Sequence, residues 1–292
     1  MRVKPLHGAM RALVLCVTAA CCTTSPAQSP PPVPIPARPI DPAIALDVDA
    51  AIATLWPDGC FTLRDAAGVL HTSNRDRCAL PRRPYSTFKL ANALIAVDAG
   101  ILDGPDAAMT WDKRTIPDEK SIRDAWRTPH TLRTGLAVSA VPYFRTLARQ
   151  LGEPRMRAGL AKLDYGNQDI SGGLDRFWLG GGMRISAAQQ LELMEGLARG
   201  KLAVSARAQE VVREISELER TATAVLHGKT GSGPIEDETG GWVVWQVGWI
   251  ERGSTMIPYA CWLETKTEDV DAARAAREQR LRATLAALEL FP

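Results

Sequence analysis

The chain has 292 residues, of which 46% are hydrophobic and 23% are charged, so it can bury a substantial core. Its formal net charge is only +2 at pH 7. A charge so close to zero excludes the strongly basic surface that nucleic-acid binding requires. We therefore expect one globular catalytic unit with no nucleic-acid partner.

The first 27 residues have the features of an export signal. Three basic residues occur among the first eleven, and residues 12–22 form a mostly apolar run about half as long as a membrane-spanning helix. Small residues before position 28 allow cleavage after Ala27. We predict that residues 1–27 are removed, which moves the net charge from +2 to −1. The mature chain would then be periplasmic, with no integral membrane span.

The cysteines leave two alternatives open. Lipidation at Cys21 or Cys22 would make an outer-membrane lipoprotein, but Thr18 stands where a large aliphatic residue is expected. Farther along, Cys60 and Cys78 are predicted either to form a disulfide, which export permits, or to stay reduced and buried. Their spacing alone does not distinguish these two states.

Proline dominates residues 28–41, which we predict to be an extended linker before a single catalytic unit at 42–292. Hydrophobic periodicity then separates helices from strands. Helices are predicted at 43–55, 86–99, 141–151, 186–199 and 270–290, and strands at 60–64, 69–73, 222–228, 241–250 and 256–265. Strands at both ends with helices between them predict an α+β fold, in which helices flank a central antiparallel sheet beside a mainly helical region.

Four short motifs carry the chemistry. Ser86 and Lys89 are three residues apart at a helix start, which places a hydroxyl and an amine on one face as a nucleophile and its base. Ser-x-x-Lys alone is weakly specific. Three further motifs follow in order, namely Ser139-Ala140-Val141, Tyr165-Gly166-Asn167 and Lys229-Thr230-Gly231.

In order and spacing these motifs resemble the class D, or oxacillinase-type, serine β-lactamases, over about residues 42–292. Ser171-Gly172-Gly173 followed by Phe177-Trp178-Leu179 fits the same family. Tyr85 departs from it, because a small residue is commoner there. The resemblance implies an enzyme that hydrolyses β-lactam antibiotics and works without a metal or other cofactor.

The resemblance also implies a role for each catalytic residue. Ser86 would be acylated, with its own N–H and that of Ser232 forming the oxyanion hole. Lys89 would be the base after carbon dioxide converts it to N6-carboxylysine. The indole N–H of Trp178 would hold that carbamate, and the apolar surroundings would come from Phe88, Val141 and Leu179.

Substrate binding is assigned in the same way. Ser139, facing Lys229, would pass a proton to the departing lactam nitrogen, while Lys229, Thr230 and Gly231 hold the substrate carboxylate. A second carboxylate anchor is expected on the last helix, where we favour Arg277 over Arg274. Tyr165 and Asn167 would line the cleft, although a Gly-Asn pair is also typical of a purely structural turn.

Two rival functions use the same parts. A penicillin-binding D,D-peptidase or a penicillin-sensing domain would also be acylated, but would stay acylated. The absence of glutamate between Glu153 and Glu192 indicates that another base must drive hydrolysis.

His71, His130 and His227 are too far apart for a metal-binding motif. The sequence leaves the choice between monomer and homodimer open.

Overall fold

The computed structural model describes residues 42–111, 113, 122–235 and 240–292. The predicted signal, 1–27, and linker, 28–41, lie outside these residues. Within the described ranges, no helix has both the length and the apolar character needed to cross a bilayer.

The described part of the chain contains eight α-helices and eight strands. The helices are α1 Pro42–Leu55, α2 Arg75–Ala79, α3 Phe88–Asp98, α4 Leu132–Ala137, α5 Val141–Lys162, α6 Ala187–Ala198, α7 Ala206–Ile215 and α8 Val270–Ala287. The strands are β1 Gly59–Arg64, β2 Leu70–Thr72, β3 Ala108–Met109, β4 His130–Thr131, β5 Glu217–Arg220, β6 Val225–Pro234, β7 Trp242–Arg252 and β8 Thr255–Thr265. The predicted α+β class is confirmed.

Six of these strands form one antiparallel sheet in the order β2-β1-β8-β7-β6-β5. Strands β6 and β7 pair without a register shift from Val225 opposite Glu251 to Pro234 opposite Trp242. By contrast, β5 pairs with β6 only as far as His227. Among the described residues, the second half of β6 therefore has β7 on one side and no strand on the other.

Each face of this sheet covers a separate apolar core. On one face of the sheet, which we call the site face, helices α3, α5 and α6 pack against Val243, Trp245 and Val247 of β7. The other, the rear face, holds α1 and α8 against alternate residues such as Val244 and Ile250. The period-2 alternation along β7 thus separates the two cores.

Several element boundaries differ from prediction. The helix expected from Ser86 begins at Phe88, because Tyr85 has φ +49° and residues 85–87 form a single 3₁₀ turn. Gly152, with φ +74°, interrupts α5 as expected, but the helix resumes beyond it to Lys162. Strand β6 continues past the predicted end at residue 228, because β7 pairs along its full length.

Cys60 of β1 and Cys78 of α2 are joined by a disulfide, which resolves the alternative left open above. The bridge encloses the hairpin of β1 and β2 and fixes α2 against the edge of the sheet. Cys261 is a buried free thiol in β8, and burial raises its pKa to about 12.

Candidate active site

The nucleophile turn, Pro84–Thr87, packs against β6. Tyr85 N–H donates to the carbonyl of Trp178 at 3.1 Å, and Thr87 N–H donates to the carbonyl of Pro84 at 3.2 Å. The α3 helix follows directly, so Ser86 is one turn before Lys89. Local helical geometry therefore brings the predicted nucleophile and base together.

Lys89 is completely buried and lies between two serines. Its Nζ donates to Ser86 Oγ at 2.5 Å and to Ser139 Oγ at 2.9 Å. Burial lowers the pKa of Lys89 well below its ordinary value, and the positive charges of Lys229 and Arg123 lower it further. The site therefore favours a neutral amine, which can accept the Ser86 proton.

Ser139 reaches this position through a helix C-terminal motif. Ser139 N–H donates to the carbonyl of Leu136 at 3.1 Å, and Ala140 N–H donates to that of Gly135 at 2.8 Å. These two bonds form a Schellman motif with Ser139 at the left-handed position, φ +57°, where glycine is the usual residue. A serine at this position costs backbone stability but supplies a hydroxyl beside Lys89.

Strand β6 brings the Lys229-Thr230-Gly231 motif against the nucleophile turn. Gly231 is required there, because a Cβ atom would lie 2.8 Å from the carbonyl oxygen of Pro84 and 3.2 Å from the nitrogen of Ser86. Lys229 is 5% exposed, and its Nζ donates to the carbonyl of Thr230 at 3.2 Å. Burial, with the charges of Arg277 and Arg274, lowers the pKa of Lys229 to about 7.

The two candidate arginines of α8 have different surroundings. Arg274 donates to Ser232 Oγ from Nε at 3.1 Å and from Nη2 at 2.9 Å. Arg277 is buried one turn farther along and donates to the carbonyl of Trp245 and to Gln246 Oε1, at 3.2 and 2.7 Å. The arginine that reaches the end of the Lys-Thr-Gly strand is thus Arg274, not the favoured Arg277, because Arg277 points under β7.

Trp178 belongs to an aromatic group around Phe88. Their ring centroids are 5.0 Å apart, and Phe177 and Tyr165 contact Phe88 edge-on. Trp178 Nε1 is buried without a hydrogen-bond partner in the described part of the chain. Since buried donors are nearly always paired, this N–H is available to a small acceptor group.

Tyr165 and Asn167 have different surroundings, and neither is seen facing an open cleft. Tyr165 is buried against Phe88. Asn167 is exposed, with Nδ2 donating to the carbonyl of Gly182 at 2.9 Å and Oδ1 accepting from Arg184 N–H at 2.9 Å. Gly166 between them has φ +54°, and a Cβ there would lie 2.1 Å from a backbone oxygen. The motif therefore holds the loop that carries Trp178.

Two aromatic residues of the site were not predicted from the sequence, one near Lys89 and one beside the segment that carries Ser139. The ring of Phe144, one turn after Val141 on α5, lies 5.7 Å from Lys89 Nζ. Trp126 Nε1 donates to the carbonyl of Val138 at 2.9 Å, which fixes a half-buried indole beside the Ser139 segment. The i, i+3 spacing of Val141 and Phe144 could have indicated the first. Val141 and Leu179 are both partly buried, and Leu179 packs against the site-face core.

The described residues contain no group of three or more His, Cys, Asp or Glu side chains arranged to hold a metal. His71 instead lies between Asp49 and Asp65, with ring-nitrogen-to-oxygen distances of 3.2 and 3.4 Å. His227 stacks on Trp249 at a centroid distance of 4.4 Å.

Comparisons with known proteins agree with this geometry. Residues 62–285 match the penicillin binding protein transpeptidase domain. The chain is 38% identical to Beta-lactamase OXA-48 of Klebsiella pneumoniae over 201 residues, covering 68% of this chain and 72% of that protein. It is 36% identical to Beta-lactamase OXA-10 of Pseudomonas aeruginosa over 204 residues, covering 70% and 75%.

A solved structure gives the same result. The class D β-lactamase FUS-1 (OXA-85) from Fusobacterium nucleatum subsp. polymorphum superposes with a TM-score of 0.73 at 33% identity, covering 80% of this chain and 94% of that one. The Ser86–Lys89–Ser139 cluster and the Lys-Thr-Gly strand lie within the matched domain. With its fold, its motifs and these relatives in agreement, the chain belongs to the class D serine β-lactamases.

Proposed function

We propose that this protein hydrolyses β-lactam antibiotics through an acyl-enzyme on Ser86. One observation carries the proposal: the buried Lys89 amine lies 2.5 Å from Ser86 Oγ and 2.9 Å from Ser139 Oγ. As Ser86 Oγ attacks the lactam carbonyl carbon, its proton passes to the Lys89 side chain. The C–N bond then breaks, and Ser139 gives its proton to the departing nitrogen while it takes up the proton held by the Lys89 side chain. Water finally hydrolyses the ester and regenerates Ser86.

The second step needs a base that the glutamate-free stretch 154–191 does not provide. We propose that the neutral Lys89 amine adds to carbon dioxide, forming an N–C bond and releasing one proton. The resulting N6-carboxylysine supplies an anionic base for both half-reactions. The Trp178 N–H, which has no partner among the described residues, is a fitting donor to it, and we propose that Phe88, Phe144, Val141 and Leu179 exclude water.

The oxyanion hole is inferred from strand geometry. N–H groups alternate sides along a strand, and Gly228 N–H points away from β7, since it donates to the carbonyl of Ser216 at 2.8 Å. With no register shift in β6, Ser232 N–H also points to the open side. We propose that it acts there with Ser86 N–H to stabilise the tetrahedral oxygen.

The substrate carboxylate is assigned to a cationic group. Lys229, Thr230 and Arg274 surround the Ser232 end of the motif, and the contact between Arg274 and Ser232 supports Arg274 as the second anchor. A guanidinium can bind a carboxylate through two parallel hydrogen bonds. Asn167 is left with the role of holding the loop.

We also propose that the protein is exported to the periplasm. The argument rests on the basic and apolar character of residues 1–27, and the proline-rich stretch 28–41 would separate the cleaved signal from the enzyme. The Cys60–Cys78 disulfide supports this location, since such bonds persist in oxidising compartments.

The transpeptidase domain match favours one alternative, a penicillin-binding protein that is acylated and stays so. Turnover of a chromogenic cephalosporin by residues 28–292, with and without bicarbonate and followed by intact mass, separates the two. Many turnovers that increase with bicarbonate are expected. A single stable adduct on Ser86, with no turnover at any bicarbonate concentration, would establish the penicillin-binding protein instead.

A further inference from the structure

The residue before the nucleophile is unusual in both conformation and size. Tyr85 has φ +49°, in the left-handed region that bulky residues rarely adopt, and its side chain is only 2% exposed. Strain of this kind persists only where the surroundings hold it in place. The contacts of the Tyr85 side chain show what holds it.

The phenol connects the nucleophile turn to the end of β6. Tyr85 Oη donates to the carbonyl oxygen of Pro234 at 2.5 Å. Pro234 has no N–H, so its carbonyl is the one backbone group there that can form a hydrogen bond. This oxygen lies on the side of β6 opposite β7, where no strand is described. The bond from Tyr85 therefore stabilises an otherwise unpaired edge of β6.

The ring fits against a glycine that is required for it. A Cβ atom at Gly233 would lie 1.9 Å from Tyr85 Cε1 and 2.2 Å from Cζ. Gly233 is thus matched to a large residue at position 85. Tyr85 and Gly233 together set how closely the nucleophile turn approaches β6.

Ser232, whose N–H we assign to the oxyanion hole, lies between Gly231 and Gly233. Gly231 is closely packed on the backbone of Ser86, and Gly233 is packed on the ring of Tyr85. We propose that Tyr85 is a positioning residue, which fixes the distance between the Ser86 and Ser232 N–H groups through its bond to Pro234. The inference rests on the proposed function only in its use of that oxyanion hole.

The oxyanion hole acts whenever the tetrahedral oxygen forms, so its misplacement slows acylation and deacylation together. Removing one oxyanion-hole donor lowers kcat by about 100- to 1,000-fold, and displacing a donor should lower the rate by part of that factor. Tyr85→Phe, which loses only the hydroxyl, is therefore expected to slow acylation by a fluorescent penicillin about tenfold. A boronic acid that mimics the tetrahedral intermediate on Ser86 should bind about tenfold more weakly.

Tyr143→Phe is the matched control, since Tyr143 is also buried and donates to a backbone carbonyl, that of Ala107 at 3.4 Å. It should change neither value. If Tyr85 had only a structural role, Tyr85→Phe would lower the melting temperature of the protein and leave its affinity for the boronic acid unchanged. Boronate affinity within twofold of wild type in Tyr85→Phe would overturn the proposal.

A second pair tests the match between the two residues. Gly233→Ala should slow acylation by more than tenfold through the clash with the ring, and Tyr85→Ala in the same chain should recover part of that loss. No recovery in the double variant would contradict the match. Acylation is measurable even if the protein does not turn over β-lactams, so failure of the proposed function is seen separately, as a stable wild-type adduct.

Discussion

The two faces of the central sheet treat their buried polar groups differently. On the rear face, Trp56 Nε1 donates to Thr284 Oγ1 at 2.8 Å, and Arg277 donates to Gln246 Oε1 at 2.7 Å. On the site face, burial lowers the pKa values of Lys89 and Lys229, and Trp178 Nε1 has no described partner. A hydrogen-bonded buried group stabilises a fold, whereas a buried cation without a described carboxylate partner, such as Lys89 or Lys229, and a buried N–H without an acceptor both destabilise it.

The backbone follows the same division near the nucleophile. Tyr85 and Ser139 adopt left-handed conformations on the site face, and both adjoin the Ser86–Lys89 pair. The packed elements around the site therefore hold its backbone and its buried polar groups in an unfavourable state. Substitutions should therefore separate activity from stability according to the face on which they lie.

The largest effect is expected for Lys229→Met on the site face. Loss of the cation should lower kcat/KM more than about 100-fold, because charge pairing to the substrate and proton transfer are both affected. The free energy of unfolding should rise by about 1 to 2 kcal/mol at pH 7, because an apolar side chain of similar volume replaces a buried charge. Steady-state kinetics and urea unfolding of the same preparation measure both.

The pH dependence has a defined sign. The folded pKa of Lys229 is about 7, below the value of about 10.4 of an unfolded lysine. Between these values the unfolded chain binds more protons than the folded chain, so the free energy of unfolding of the wild type rises with pH through this window. Below pH 7 the buried Lys229 is protonated in the folded state as well, and its cost to stability is complete. Lys229→Met should gain less over the same range. Equal gains in both proteins would contradict the assigned shift.

The next effect is expected for Trp178→Phe, which removes an N–H that has no partner in the described chain. Deacylation should slow about 100-fold as the base is lost, and the acyl-enzyme should accumulate. High bicarbonate should restore part of the rate. The free energy of unfolding should fall by only about 1 kcal/mol in the absence of carbon dioxide, because the smaller ring leaves a cavity but no hydrogen bond is broken. Unchanged turnover at ambient carbon dioxide would sink the proposed role.

The two arginines of α8 form a matched pair across the faces. Arg274→Ala should raise KM about tenfold with little change in stability, because the side chain is partly exposed and contacts Ser232. Arg277→Met should leave KM within about twofold and lower the free energy of unfolding by about 2 kcal/mol, since the side-chain oxygen of Gln246 loses the donor described for it. A raised KM in Arg277→Met, with lost stability in Arg274→Ala, would instead identify Arg277 as the residue that binds the substrate carboxylate.

The smallest effect on activity is expected for Trp56→Phe, the rear-face counterpart of Trp178→Phe. It breaks a buried hydrogen bond to Thr284. The free energy of unfolding should fall by about 2 to 3 kcal/mol, because the smaller ring leaves a cavity and the hydrogen bond is lost, while kcat stays within about twofold of wild type. A loss of activity comparable to that of Trp178→Phe would show that the two faces are not separable.

Sequence reasoning succeeded where the chemistry is local. The spacing of Ser86 and Lys89 on a helix, and the Ser186–Gln189 capping box that starts α6, follow from i, i+3 geometry and were both predictable. The strands of the last third were predictable from their alternation, although β6 extends to Pro234 because pairing with β7 continues.

It failed where a contact depends on how elements dock. Arg274 and Arg277 are three residues apart on one helix, and only the crossing of α8 over the sheet decides which reaches Ser232. The left-handed Tyr85 and Ser139 carry no local signal, because such conformations are imposed by the surroundings rather than by residue type. The state of Cys60 and Cys78 required their positions in space.

The central claim is that the buried Lys89 amine reacts with carbon dioxide and that its carbamate is the base. The most direct measurement is carbon-13 NMR of the protein in labelled bicarbonate, alongside Lys89→Ala. We expect one protein-bound carbamate signal that is absent from Lys89→Ala, disappears on acidification and returns together with activity. Full turnover by a wild-type enzyme that shows no such signal at saturating bicarbonate would contradict it.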